Sequence, residues 1–172
     1  MTKFLLAVHV LTAIVAIGPV TVAASMFPAA ARRAADAPED PGALATVNVL
    51  RRICRVYAAI GIAVPVFGFA TASSLHVLGS PWLITAIALT AVAAVVLVLF
   101  VLPRQDDIVA NLTAAAPLTI VAPTTATPIA ATTTTPIRDV ATRLAMFTGI
   151  FNLLWATVTV LMIVRPGSTT GV

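Results

Sequence analysis

The chain has 172 residues, of which 60% are hydrophobic and only 9% charged, and its mean hydropathy is +1.07. A soluble domain carries about 25% charged residues, so this composition belongs to the membrane class. The net charge of +4 comes from basic residues at the ends of apolar runs, which excludes a nucleic-acid patch, and the single cysteine, Cys54, excludes an internal disulfide and a multi-cysteine metal site.

The first apolar segment, Phe4–Ala31, holds no Asp, Glu, Lys or Arg. About 20 apolar residues cross a bilayer as a helix, so this segment spans with a tilt. Lys3 and the small residues Val22–Ser25 imitate a secretory signal. The run continues well past the usual h-region, however, and Arg32-Arg33 follow as a stop-transfer flank; we read a retained span. Gly18-Pro19 near its middle is expected to act as a hinge, because proline lacks the N–H of a helical hydrogen bond and clashes one turn back.

A polar loop follows, and Asp40-Pro41 reads as a helix start, with Asp accepting orphan N–H groups and Pro at the first helical position. Leu44, Val47, Leu50 and Cys54 fall on one face of an amphipathic lead-in. From Val56 to Pro103 no side chain is charged. A single helix of that length would be about 70 Å long, twice a bilayer, so it must fold back, and Gly79-Ser80-Pro81 is the turn signal. The second span is placed at about residues 53–78 and the third at about 82–102. Gly61, Pro65, Gly68 and Ala72 make the second span a small-residue helix that allows close approach, expected at the bundle centre against the first.

Residues 113–136 are low in complexity, with nine Thr, seven Ala and four Pro. Prolines and β-branched threonines disfavour a helix with little to bury, and an extended flexible linker is expected. The last span is placed at about residues 144–164, on a helix starting near Ile137 and ended by Arg165-Pro166-Gly167. The expected architecture is all-α: a bundle of four transmembrane helices in one domain over residues 1–172, with a long low-complexity loop between helices 3 and 4. Eight of the ten basic residues fall on the side of the two polar loops. The positive-inside rule then puts loops 32–52 and 103–143 in the cytoplasm and both termini outside.

Few residues suggest chemistry. His9 and His76 are the only histidines, and this topology puts both in the outer leaflet. Two neutral imidazoles at one depth are the donor set of a bis-histidine haem b, and imidazole also binds copper. The other reading has His9 hydrogen-bonded to a neighbouring helix and His76 in an interfacial turn. Asn152 and Trp155 lie inside the fourth span, where an amide can hydrogen-bond across helices. Arg51, Arg52 and Arg55 sit at a membrane edge, where basic residues anchor topology or grip anionic lipid headgroups. No Ser/His/Asp set, phosphate loop, metal-ligand repeat or intramembrane acid is visible, so no catalytic or metal residue is assigned.

The stretch from His9 to Arg32, then a polar loop, then Leu50–Ala70 resembles a bacterial, largely actinobacterial, family of small four-span predicted integral membrane proteins of undefined function. The shared features are the early His9, the Gly18-Pro19 after it and the basic start of the second span. The resemblance covers roughly the first half of the chain and implies the bacterial inner membrane. A looser similarity, of the early-histidine first helix alone, extends to copper-resistance membrane proteins and haem-pathway membrane oxidases, and implies haem or copper at His9. The favoured function is a non-enzymatic accessory or scaffold subunit in the lipid bilayer. It would associate as a homo-oligomer or in a larger membrane complex through small-residue helix faces, with no nucleic acid. The alternatives are an outer-leaflet haem b or copper redox protein using His9 and His76, and a small oligomeric transporter.

Overall fold

A computed structural model describes residues 2–121 and 130–167, with the side chains of 2–115 and 137–167. Its elements are α1 (Thr2–Asp36), α2 (Pro41–Ile60), α3 (Ala63–Ser74), α4 (Pro81–Val95), a π-helical segment (Val96–Val101), α5 (Leu102–Val121) and α6 (Ala130–Val164). There is no strand among the described residues. Four helical stretches are long and apolar enough to cross a membrane, namely Thr2–Asp36, Pro41–Ser74, Pro81–Ala115 and Ile137–Val164. The chain therefore has the make-up of a multi-pass, four-helix membrane protein.

Local chemistry explains the helix ends. Asp40 is extended, and its carboxylate accepts the Gly42 N–H at 2.8 Å, with Pro41 opening α2. Ser80 is likewise extended before Pro81, which opens α4. The second span ends at Ser74, a turn short of the expected Leu78, because Leu75–Ser80 form the turn. Val77 N–H and Ser80 N–H close it on the carbonyls of Ala72 and Val77. At the other end of the chain, Arg165 takes φ 46° and Gly167 φ 81°, which ends α6.

α1 is helical without interruption through Gly18-Pro19, and again through Pro28. A break in the helical ladder falls at Gly61-Ile62, between α2 and α3. Pro65 lies four residues after Gly61, so it can neither donate to the Gly61 carbonyl nor sit over it without a clash. Val64 N–H takes that carbonyl at 3.1 Å instead. The π segment lies just ahead of Pro103. There Leu102 N–H reaches back to Leu97 O, the i→i−5 register of a π-bulge, and Arg104 donates Nη1 to Phe100 O at 2.9 Å.

The segment expected as an extended linker is partly helical. α5 runs on to Val121 and α6 begins at Ala130, so residues 113–121 and 130–136 depart from the expectation; residues 122–129 lie outside those described. Threonine costs a helix well under 1 kcal/mol per residue and alanine nothing, and a packed helix propagates cheaply once nucleated.

α1, not the second span, is the central helix, packing against α2, α3, α5 and α6. Its buried stripe is Ala16, Val20, Ala23, Ala24, Phe27 and Ala31, small side chains at helical spacing that let neighbours approach closely. The main core continues with Val47, Leu50 and Cys54 of α2, Ile108, Val109 and Leu112 of α5, and Ile137, Leu144 and Phe151 of α6. It therefore lies toward the end that carries the polar loops. Toward the other end α3 packs chiefly on α1 and α4 on α6, with a small second cluster of Ala72, Trp82 and Leu83. Large apolar side chains such as Phe4, Leu11, Ile14, Ile62, Leu153 and Ile163 are exposed there, as lipid-facing side chains would be. Several hydroxyls within the spans bond to their own helix, as Thr71 does to Phe67 O and Thr90 to Ala86 O, both at 2.8 Å. This removes the cost of an unpaired donor where no water can serve.

Candidate functional site

Both polar loops meet at one end of the bundle. Arg138 of α6 donates to Asp36 of α1 at 2.8 Å. Asp106 of α5 holds two arginines of α2 one turn apart, Arg51 at 3.0 Å and Arg55 through its other oxygen. Sequence separations of about 50 and 100 residues hide such pairs from any local pattern. Arg52 is exposed, points to neither acid, and with Asn48, Arg51, Arg55 and Val56 lines a groove of about 250 Å3.

Depth can be read from the helices themselves. Going from the termini-side ends Ser74, Pro81 and Val164, the first charged side chains are Arg55, Arg104 and Arg143. Each comes after roughly 20 residues, or about 30 Å of helix, the thickness of a hydrocarbon core. Beyond them the helices continue as a stub that buries Val47, Leu50, Ile108, Leu112 and Ile137. Arg104 stands at this boundary in an aromatic stack. Its guanidinium lies 4.4 Å from the Phe147 ring centroid and 5.5 Å from that of Phe100, and the two rings stack at 4.9 Å. A guanidinium held on rings keeps its charge while shedding little water.

The histidines are not brought together as a ligand pair. His9 Nδ1 lies 3.0 Å from the Val64 carbonyl oxygen, and its ring lies over Gly68, where a Cβ would come within 3.0 Å of His9 Cε1. His76 is exposed in the turn after α3, at φ 56°. About 9 Å of α3, a little under two helical turns, separates Gly68 from Ser74 at the end of that helix. His9 thus makes an interhelical contact. With Nδ1 on a carbonyl, Nε2 is the nitrogen left to bind anything else. Among the described residues no group of three or more His, Cys, Asp and Glu could hold a metal ion.

A polar seam between α1 and α6 is the feature least visible in the sequence. Asn152 Nδ2 donates to Ser25 Oγ at 3.1 Å, the cross-helix bond anticipated for this amide. Asn152 Oδ1, Thr148 Oγ1 and Trp155 Nε1 are buried without a partner. Trp155 packs edge-on against Phe151, with centroids 6.4 Å apart. One helix away Gln105 is fully buried, with Nε2 at 3.4 Å from Cys54 Sγ and Oε1 unpaired. Only the i, i+4, i+7 spacing of Thr148, Asn152 and Trp155 hints at this shared face.

At the far end of the bundle, Arg165 places its guanidinium 5.6 Å from the Trp82 ring centroid, tying the end of α6 to the start of α4. Compared with known proteins, the chain matches no family, no curated protein and no solved structure, so its function is read from its own residues.

Proposed function

We propose that this chain is a non-enzymatic accessory or scaffold subunit of a bacterial inner membrane, with loops 32–52 and 103–143 in the cytoplasm and both termini outside. It associates with a second copy or a larger complex through a small-residue face of α6. Gly149 carries this reading. It sits in the interior of α6 and is exposed, and a Cβ there would meet nothing within 4 Å. A glycine at such a place costs a helix about 1 kcal/mol relative to alanine, and no neighbour inside the chain calls for it. Ala145, one turn earlier, is also exposed. Together they form a small-xxx-small pair of the kind that lets two membrane helices touch backbone to backbone. The alanines of the buried stripe of α1, by contrast, are used inside the chain.

The test is Gly149→Leu in the full chain. The expected outcome is loss of self-association or of co-purifying partners in mild detergent, with the melting temperature of the protomer not lowered, because the added side chain enters open space and a helix-weakening glycine is removed. Association that persists unaltered in Gly149→Leu would refute this reading.

A further inference from the structure

We propose that the face of α2 formed by Asn48, Arg51, Arg52, Arg55 and Val56 seats a phosphate-bearing anion, supplied by the headgroup of an acidic phospholipid in the loop-side leaflet. Charge, donors and depth each support it. Asp106 engages Arg51 and Arg55 together, which neutralises one of three cations and leaves the cluster net positive. A guanidinium has five N–H donors in a fixed fork, so the contact with Asp106 leaves most of them to serve an outside anion. Asp106 is in this sense a positioning residue, fixing two forks on consecutive turns while Arg52 stays exposed beside them. Arg is the side chain whose planar fork matches phosphate oxygens in pairs.

Depth selects the source. Asn48, Arg52 and Val56 follow one another at single-turn intervals along α2. A polar amide therefore gives way to a cation and then to an apolar side chain as the helix enters the membrane. Asn48 donates one amide hydrogen to Leu44 O and keeps a second. Val56 and Ile60 are exposed apolar side chains on the same helix, available to an acyl chain hanging from the seated headgroup. A free phosphate would use the arginines but leave these unused.

The experiment uses the full chain in mixed micelles containing either phosphatidylglycerol or phosphatidylcholine, with bound lipid counted by native mass spectrometry. Phosphatidylglycerol is expected to be retained in preference to phosphatidylcholine. Arg52→Gln, which removes a cation with no ion pair among the described residues, is expected to lower that retention about fivefold, the worth of one basic residue near an anionic surface. Arg33→Gln, at the end of α1 and outside the groove, is expected to leave retention unchanged, as is millimolar inorganic phosphate. Equal retention of the two lipids, or equal losses in Arg52→Gln and Arg33→Gln, overturns the seat. Displacement by inorganic phosphate overturns the lipid as its source and assigns the arginines to free phosphate.

Discussion

His9 joins two helices. Its Nδ1 sits on the Val64 carbonyl, and its ring occupies the space that Gly68 leaves by having no side chain. A Cβ at position 68 would lie 3.0 Å from Cε1 and 3.3 Å from Nδ1 of that ring, closer than side chains tolerate, so the ring must move. Gly68→Ala is therefore expected to lower stability by about 1–2 kcal/mol, the usual cost of overpacking. In a His9→Ala background, where the ring is gone, the same substitution is expected to cost nothing. A double-mutant cycle from thermal unfolding in detergent isolates this coupling. Equal costs of Gly68→Ala in the two backgrounds would mean that the ring and the glycine do not depend on one another. The histidine and the glycine were both visible in the sequence as candidates. Their partnership was not, because it joins residues on two helices.

At the scale of elements, α1 and α6 meet across a seam that is only partly satisfied. Asn152 gains one bond to Ser25 and leaves Oδ1 buried and unpaired. An interhelical bond in a membrane is worth about 0.6 kcal/mol, rarely above 1.7, whereas a buried polar group without a partner costs about 1–3 kcal/mol. These two effects oppose each other, and they make the smaller substitution the more harmful one. Ser25→Ala strips Asn152 of its partner and leaves both ends of an amide unpaired within the fourth span, where no water can serve, so a loss of about 1 kcal/mol or more is expected. Asn152→Leu removes the bond and the orphan together, and stability is expected to stay within about 1 kcal/mol of the parent or to rise. Melting temperatures of the two variants in one detergent check the order; Asn152→Leu melting well below Ser25→Ala would show that the amide is fully satisfied in the membrane. The helix starts at Asp40-Pro41 and Ser80-Pro81 were legible because capping is local chemistry. The break at Gly61-Ile62 had a local cause in Pro65, but hinge chemistry pointed as well to Gly18-Pro19, where α1 stays helical. Hydropathy bounded the apolar stretches and not the helices, and so it missed the extension of α5 and α6 into the Thr- and Ala-rich region.

For the whole molecule, the pairs Asp36–Arg138 and Asp106 with Arg51 and Arg55 draw both polar loops to one end. The chain thus has one heavily basic end and one end with little charge, and the membrane has only two ways to hold it. Basic loops resist translocation, which favours the orientation with the stub in the cytoplasm. The prediction is tested in a Cys54→Ala background, since the native thiol is buried and a single new one then reports alone. Ala37 lies in the loop between α1 and α2, and Gly79 in the turn between α3 and α4, where a Cβ would meet nothing within 4 Å. In intact cells, Gly79→Cys is expected to react with a membrane-impermeant thiol reagent, and Ala37→Cys only after permeabilisation. The reverse pattern would place the arginine groove of α2 outside the cell. An acidic headgroup would then have to come from the outward leaflet, so the same labelling decides which leaflet the lipid experiment must imitate.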